Sequence, residues 1–271
     1  MMCRVLQVSR AGFYAWRARP ESARSKANRE LAAQVREAHE TSRRTYGSPR
    51  VHAELRARGY RVGRHRVARL MRQQGLAARR KRRYRATTNS GHNQPVALNV
   101  LSRSFEVPEP DRVWVADITY LATAEGWLYL AVLLDLCSRS VVGWAMSADL
   151  DCSLALAALR MAVERRQPTR GRLLHHSDRG VQYASSSYQA ALEAEGITAS
   201  MSRRANCWDN APAESFFGTL KVELVGDRVF PSRAAARTEV FEYIEAFYNR
   251  TRRHSTLGYL TPLEFEKQTA V

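Results

Sequence analysis

Residues 113–121 read VWVADITYL, an apolar run that carries one carboxylate, Asp117, in its middle. The run is rich in β-branched and aromatic residues, which favour β-strands, so it predicts a strong strand. An ionised carboxylate inside such a strand is costly unless it meets a partner or a cation. The segment therefore predicts a strong strand and makes Asp117 a candidate for a functional site.

Two more apolar runs, WLYLAVLLDL and SVVGWAM, follow at 127–136 and 140–146. Three apolar runs joined by short turns predict an antiparallel meander. The pattern then predicts a helix over 153–166, a strand in RLLHHSD, a helix over 186–195, a strand in GITASM and a further helix. This order predicts an α/β fold of the RNase H-like type, a mixed five-stranded sheet flanked by helices.

The basic charge of the chain is concentrated in its first third. The whole sequence has 43 Lys and Arg against 26 Asp and Glu, a formal net charge of +17. Residues 1–85 hold 24 basic and 5 acidic side chains, and residues 86–271 hold 19 and 21. A basic block beside a near-neutral body predicts a polyanionic partner. A solubilising surface is the alternative interpretation of such a block.

Residues 43–85 predict a small all-α helix-turn-helix domain that binds DNA. Two short apolar stripes are separated by Gly59, and the second stripe ends at Gly75. In such a unit the second helix faces DNA, and the basic run RRKRRYR at 79–85 favours the same partner. The predicted contacts on the second helix are Arg64, Arg66, Arg69 and Arg72.

The rest of the chain divides around these two regions. Residues 86–108 lose apolar periodicity and predict a linker. The other predicted divisions are an N-terminal helical region at 1–42, a catalytic core at 109–226 and a C-terminal helical extension at 227–271.

Two further carboxylates accompany Asp117. Asp178 ends the strand RLLHHSD, and Glu214 lies in the predicted helix NAPAESFFGTLKVEL at 210–224. Sixty residues separate Asp117 from Asp178, and 35 separate Asp178 from Glu214. Lys221 lies seven residues after Glu214, which places both on one face of the helix. Taken singly, each carboxylate also has a structural interpretation, as an edge residue, a turn former or a helix-dipole partner.

The spacing D-x60-D-x35-E, with Lys221 after the Glu, resembles the DDE transposases and retroviral integrases. The chain is most similar to insertion-sequence transposases of the OrfB type. The resemblance rests on the sequence segments YGSPRVHAEL at 46–55, WVADITYL at 114–121, HSDRGVQYAS at 176–185, NAPAESFFGTLKVEL at 210–224 and YIEAFYNRTRRHSTLGYLTPLEFE at 243–266. The resemblance covers nearly all of residues 43–266 and implies an integrase catalytic core behind a helix-turn-helix region.

The resemblance implies a DNA transposase that cleaves at the ends of its element and transfers the freed 3′-hydroxyl to another phosphodiester. Asp117, Asp178 and Glu214 would be its catalytic residues and would hold two Mg²⁺ ions, with Mn²⁺ as a substitute. An RNase H-like hydrolytic nuclease and a non-catalytic DNA-binding regulator are the two alternatives.

Other side chains near these motifs are candidates for contact with DNA. His176 either orients Asp178, contacts phosphate or makes a structural hydrogen bond. Trp208 is expected to pack against the Glu214 helix, with a wedge near DNA as the alternative. We expect a mobile loop at 201–210, ordered mainly by DNA and metal. The further predicted DNA contacts are Lys221, His176, Gln182, Arg203, Arg204 and Arg253.

The expected partners are DNA, both element ends and target, and further copies of the chain assembled on it. The resemblance also implies an upstream-frame DNA-binding partner or fusion. No apolar run reaches about 18 residues, so no membrane span is predicted. Four widely spaced cysteines and no signal-peptide pattern favour a reducing compartment. We therefore expect a protein of the bacterial cytoplasm, associated with the nucleoid.

Overall fold

A computed structural model describes residues 2–79, 94–204 and 206–269. The chain forms two compact units, Met1–Ala78 and Arg79–Val271. No helix in the described ranges is long and apolar enough to cross a bilayer. Most of the basic run at 79–85 and the first part of the predicted linker lie outside the described residues.

The first unit is helical. Its helices are α1 (Met2–Val5), α2 (Arg10–Arg17), α3 (Ala23–Thr41), α4 (Ser48–Ala57) and α5 (Arg64–Gln73). The side chains of Ser9 and Ser22 accept hydrogen bonds from backbone N–H groups at the starts of α2 and α3, which explains where these helices begin. Gly59 lies between α4 and α5 as predicted, so the helix-turn-helix pair is confirmed.

Helix α3 packs with this pair to form one small core. Val35 of α3, Val51 and Leu55 of α4, and Val67 of α5 are fully buried. In contrast, α1 and α2 bury no residue. The predicted boundary between residues 42 and 43 therefore falls inside a single packed unit.

The second unit is built on one mixed sheet. Its strands are β1 (Val113–Thr123), β2 (Gly126–Asp135), β3 (Val141–Ser147), β4 (Leu174–Ser177) and β5 (Thr198–Met201). Within the described residues they form a sheet in the order β3-β2-β1-β4-β5. The β1–β2 and β2–β3 pairs are antiparallel, whereas β1–β4 and β4–β5 are parallel. This confirms the predicted RNase H-like arrangement, with β1 at its centre.

Helices cover this sheet. They are α6 (Cys152–Arg166), α7 (Val181–Ala184), α8 (Ser186–Ala194), α9 (Ala211–Leu220), α10 (Arg233–Phe241) and α11 (Pro262–Thr269). Two π-helical segments, Lys221–Val225 and Glu242–Tyr248, directly continue α9 and α10. The sequence pattern predicted α6, α8 and α9 but neither the short α7 nor the π-helical continuations.

A buried ion pair binds the C-terminal segment to the rest of the second unit. Arg252 Nε and Nη2 each donate to the Glu223 carboxylate at 2.9 Å, and Tyr243 Oη donates to it at 2.8 Å. A buried pair holds only when such additional hydrogen bonds satisfy it. The predicted boundary between 226 and 227 therefore falls inside the second compact unit.

The described part of the predicted linker is also packed. Ser200 Oγ in β5 accepts hydrogen bonds from the N–H groups of Val100 and Leu101, and Leu101 is buried. Residues 94–108 thus belong to the second unit, although their composition resembles that of a linker.

Close contact between α6 and β3 depends on Gly143. A Cβ atom at this position would lie 2.3 Å from the Ala158 carbonyl oxygen and 2.7 Å from Ala162 Cβ. Both neighbours are fixed in α6, so neither can move aside cheaply. The absence of a side chain at Gly143 lets the helix cover the sheet directly.

We predict that Gly143→Ala destabilises the protein by about 1–3 kcal/mol or more, because overpacking forces the helix away from the sheet. Urea unfolding followed by circular dichroism measures the change. Gly63→Ala is the control, since nothing lies within 4 Å of a Cβ there. Equal stability of Gly143→Ala and wild type would contradict the prediction.

Candidate active site

Asp117 lies in the central strand, next to the point where β4 ends. The β1–β4 pairing stops at Ala116 and Ser177, one residue before Asp117. Asp117 is half-buried, and its Oδ1 accepts a hydrogen bond from the Ile118 N–H at 2.8 Å. The end of β4 therefore leaves the edge of β1 accessible beside this carboxylate.

Asp178 follows β4 directly and lies beside Asp117 because the two strands are parallel neighbours. The Gly180 N–H donates to Asp178 Oδ1 at 2.9 Å. A Cβ on Gly180 would lie 3.0 Å from that oxygen and 3.1 Å from Gln182 Oε1. The glycine thus permits a tight turn that fixes one oxygen of Asp178.

Glu214 and Lys221 come from the helical segment that packs across β1. Phe216, Phe217 and Leu220 are buried and hold α9 against the unit, whereas Glu214 is exposed in its first turn. Lys221 begins the π-helical continuation, and its Nζ lies 5.1 Å from the centre of the Tyr120 ring.

The three predicted carboxylates act on one another electrostatically. The pKa of Asp117 is raised well above its usual value, first by burial and then by the charge of Asp178, with Glu214 adding to it. The Ile118 N–H and the Lys221 ammonium act in the opposite direction. The fold therefore brings Asp117, Asp178, Glu214 and Lys221 into one electrostatic cluster.

The three carboxylates of the cluster offer only oxygen atoms, the ligands that hard divalent cations prefer. Across residues 2–79, 94–204 and 206–269, no three His, Cys, Asp or Glu side chains form a ready-made metal site. Magnesium commonly uses one or two carboxylates and completes its shell with water and phosphate. Burial raises the pKa of Asp117 most, and the charges of Asp178 and Glu214 raise it further, so a bound cation would favour the ionised carboxylate.

His176 does not lie where a DNA contact requires it. The ring is fully buried, with Nδ1 at 2.9 Å from Ser200 Oγ and Nε2 at 3.2 Å from Ser202 Oγ. Burial lowers its pKa to about 4. The predicted DNA contact is therefore corrected to the structural hydrogen bond that was its alternative.

A second buried histidine lies behind Asp178, and sequence reasoning missed its role. His175 Nε2 shares a hydrogen bond of 2.9 Å with Tyr188 Oη, and burial lowers the pKa of His175 to about 3. The Tyr183 ring packs edge-on against Tyr188 at 5.3 Å. Tyr183 Oη is buried and has no hydrogen-bond partner within the described residues. The predicted packing role of Tyr183 agrees with this position.

The loop before α9 is tied down within the protein. Asp209 is fully buried and accepts hydrogen bonds from the backbone and guanidinium of Arg203, from Arg103 and from Asn99. The Arg203 hydrogen bonds are the main reason that the pKa of Asp209 is lowered. These bonds hold Arg203 and Asp209 together, and they engage an arginine predicted to contact DNA. The ordering of the loop by DNA and metal stays a prediction.

Two other predictions for polar and aromatic residues need correction. Trp208 is 69% exposed, so the expectation that it packs against the helix is wrong. Arg253 is only 9% exposed, and its Nη1 donates to the Tyr259 carbonyl at 2.9 Å, so it faces the interior. Arg204 is exposed, and Gln182 is half-buried with Nε2 at 3.4 Å from the Leu150 carbonyl. Their contacts with DNA stay predictions.

The first unit carries a basic cleft of its own. Arg64, Arg69 and Arg72 are exposed on α5, whereas Arg66 is half-buried and donates through Nε to Asn28 Oδ1 at 2.8 Å. The cleft is lined by Arg24, His65, Arg66 and Arg69. Four basic side chains from α3 and α5 thus converge on one opening.

Comparison with known proteins agrees with this architecture. Residues 107–207 and 214–270 match families described as Integrase core domain, and residues 26–84 match one described as HTH-like domain. The chain is 46% identical over 267 residues to the Insertion element IS600 uncharacterized 31 kDa protein of Shigella sonnei, covering 98% of each. It is 45% identical over 269 residues to Transposase InsF for insertion sequence IS3A of Escherichia coli (strain K12), covering 98% of this chain and 93% of the relative.

The fold and these matches define a polynucleotidyl transferase of the integrase-core class. The chain belongs to the family of insertion-sequence transposases that includes InsF. The alternatives of a hydrolytic nuclease and of a non-catalytic regulator are not favoured by this relationship.

Solved structures also resemble part of this chain. One is the intasome of simian T-cell lymphotropic virus in complex with PP2A regulatory subunit B56 gamma, with a TM-score of 0.49 and 20% identity over 66% of this chain and 60% of that one. Another is the HTLV-2 integrase catalytic core domain in complex with magnesium, with a TM-score of 0.45 and 16% identity over 58% and 97%. The fold assignment rests on the sheet order described above.

We predict that His175 makes the protein less stable as the pH falls. Its pKa is about 3 in the folded state against 6.5 when unperturbed. Below pH 6.5 the unfolded state therefore binds a proton that the folded state does not, and the stability due to neutral His175 is lost as the pH falls from 6.5 towards 3. Between pH 7 and pH 5 the loss amounts to about 2 kcal/mol.

The measurement is the free energy of unfolding at pH 7 and pH 5 in wild type and His175→Gln. The variant should lose about 2 kcal/mol less than wild type over this interval. Tyr188→Phe is the control and should keep the wild-type pH dependence, because burial is the first cause of the shift. Identical pH dependence in wild type and His175→Gln would refute the assignment.

Proposed function

We propose that Asp117, Asp178 and Glu214 form the DDE active site of this transposase, which cleaves DNA at element ends and joins the 3′-hydroxyl to another phosphodiester. The observation that supports this most strongly is the placement of the three carboxylates. Asp178 directly follows β4, the parallel neighbour of the strand that carries Asp117, and Glu214 lies in the helix that packs across that strand. The pKa of Asp117 is raised first by burial and then by the charges of Asp178 and Glu214, which agrees with this placement.

The donor set suits magnesium, and Asp117, Asp178 and Glu214 would together hold two such ions through their carboxylate oxygens. Bound Mg²⁺ would lower the pKa of the attacking water or 3′-hydroxyl and stabilise the departing oxygen. The carboxylates themselves hold the ions and accept no bond to DNA. A covalent protein intermediate is therefore not expected, and nearby hydroxyl groups such as those of Ser177 and Ser215 are not needed as nucleophiles.

Lys221 is proposed to hold the DNA backbone beside the reacting phosphate. Its ammonium influences Asp117 and rests on the Tyr120 ring, so it lies at the cluster with its chain partly fixed. A lysine ammonium acts on phosphate as a point charge. Lys221 would thus position the phosphodiester for in-line attack, in addition to the chemistry that the metal ions supply.

DNA is proposed to contact the first unit at the basic cleft and along the exposed face of α5. Asn28 holds Nε of Arg66, which leaves the two Nη groups of that guanidinium for phosphate oxygens. Around the second unit, the exposed Arg204 and Trp208 precede the Glu214 helix and are further candidates for contact. Pairing two element ends implies assembly of several copies on DNA, alone or with an upstream-frame DNA-binding partner.

Asp117→Asn, Asp178→Asn and Glu214→Gln should each lower cleavage and strand transfer by more than about 100-fold, because loss of even an outer partner of a metal ligand costs 10- to 100-fold. The assay uses labelled element-end DNA with Mg²⁺ or Mn²⁺, and gel shifts should show unchanged DNA binding. Glu164→Gln, at an exposed carboxylate on α6, is the matched control. Wild-type joining by any of the three variants would remove that residue from the site.

Arg69→Ala should weaken binding to element-end and unrelated DNA alike, because a phosphate contact carries no sequence information. The slope of log K against log salt should become shallower by about 0.9 for each lost phosphate contact. Arg29→Ala is the control, since its Nη1 already pairs with Glu21 Oε2 at 2.6 Å. An unchanged salt slope for Arg69→Ala would argue against phosphate binding in the cleft.

A further inference from the structure

We propose that Asn210 is a positioning residue for catalysis: its side-chain amide fixes the start of α9 against β1 and so sets where Glu214 lies relative to Asp117. This inference rests on the proposed active site and assigns to it a residue that bears no charge and takes no part in the chemistry.

The contact itself is short and protected from water. Asn210 Nδ2 donates to the Ala116 carbonyl oxygen at 3.0 Å, and Asn210 is only 3% exposed. Ala116 immediately precedes Asp117, and Asn210 lies about one helical turn before Glu214. One hydrogen bond thus joins the strand that carries one carboxylate to the helix that carries another.

The sheet explains why a side chain is needed at this position. Pairing between β1 and β4 ends at Ala116 and Ser177, because the chain turns away at Asp178. The Asn210 amide donates to the Ala116 carbonyl at this point. The start of the helix is therefore joined to β1 where the pairing of β1 with β4 ends.

Helix capping does not account for Asn210. It occupies the N-cap position of α9, but its side chain makes no capping hydrogen bond. Stability does not account for it well either, because Asn210 Oδ1 is buried without a hydrogen-bond partner within the described residues. An unsatisfied buried acceptor costs about 1–3 kcal/mol. Nδ2 of Asn210 therefore joins α9 to β1, whereas the unsatisfied Oδ1 lowers the stability of the protein.

The preceding residue reinforces the link. Asp209 is held by Arg203, Arg103 and Asn99 through the hydrogen bonds described above. Asp209 thus anchors the loop to the body of the unit, while Asn210 anchors the helix start to the central strand. Two consecutive anchors restrict both the translation and the rotation of the first turn of α9, where Glu214 lies.

This placement matters because metal-assisted chemistry tolerates little displacement of its ligands. Functional groups must be held to within about 0.5 Å of the productive geometry. A shift of about 1 Å caused by a change outside the reacting groups can cost about 100-fold in rate. Loss of the Asn210 donor should therefore lower turnover without altering how tightly DNA binds.

Two substitutions separate positioning from stability. Asn210→Asp keeps the size of the side chain but turns an oxygen towards the Ala116 carbonyl, whereas Asn210→Ala removes the donor together with the unsatisfied acceptor. We expect both to lower the turnover of strand cleavage at saturating DNA by about 10- to 100-fold, with Kd for DNA unchanged. Thermal unfolding should rank them differently, with Asn210→Ala the milder change, because Asn210→Asp buries a carboxylate oxygen against the Ala116 carbonyl.

Asn206→Asp is the matched control. It makes the same chemical change in the same loop, but Asn206 uses its Oδ1 to accept from Arg103 Nη2 at 2.8 Å, and an aspartate keeps that acceptor. Turnover by Asn206→Asp should stay at the wild-type level. All variants are assayed at temperatures chosen so that the folded fraction, measured by circular dichroism, is the same.

The inference is overturned if either Asn210 variant cleaves at the wild-type rate, if activity follows the order of thermal stability, or if the loss appears in Kd for DNA. An equal loss of turnover in both variants with unchanged Kd supports it. Activity in Asp117→Asn, Asp178→Asn and Glu214→Gln would instead refute the proposed active site, whatever the Asn210 variants show.

Discussion

Like-charge repulsion between carboxylates is the constraint that the second unit has to satisfy. Asp117 lies in an apolar central strand, and its pKa is raised by burial and by Asp178 and Glu214. A fold that gathers such groups works against its own stability, and at the proposed site a bound cation would offset that cost. The site therefore depends on rigid surroundings that keep the carboxylates together, and this requirement explains features that lie outside the reacting groups.

Those surroundings hold the Glu214 helix at both ends. At its start, Asn210 is bonded to β1 and Asp209 to two arginines. Beyond its C-terminal end, the buried pair of Glu223 and Arg252 ties the π-helical continuation to the C-terminal segment. Because such a pair is costly to break, the last part of the chain contributes to the geometry of the site although it supplies none of the three carboxylates.

Sequence reasoning predicted the features that depend on local pattern. The alternation of apolar residues gave the strands, and the spacing of Asp117, Asp178 and Glu214 singled out the carboxylates that the fold brings together. It failed where partners come from distant positions. His176 is polar in sequence, but the serines that satisfy it lie 24 and 26 residues away. The sequence could have indicated that Arg203 pairs within the protein, because an acidic residue, Asp209, follows six positions later in the same loop. The spacing of apolar residues in the π-helical continuation of α9 is the same as in an ordinary α-helix, so the sequence pattern could not distinguish the two.

The two halves of the sheet differ greatly in length. Strands β1 and β2 span 11 and 10 residues, whereas β4 and β5 span 4 each. Local opening starts where few hydrogen bonds hold a segment, and cooperative units separate along such lines. The parallel edge should consequently fray before the antiparallel meander does. Asp178 lies at the end of that edge, so partial melting would separate the proposed metal ligands while most of the molecule remains folded. Catalytic competence is then lost at a lower temperature than secondary structure.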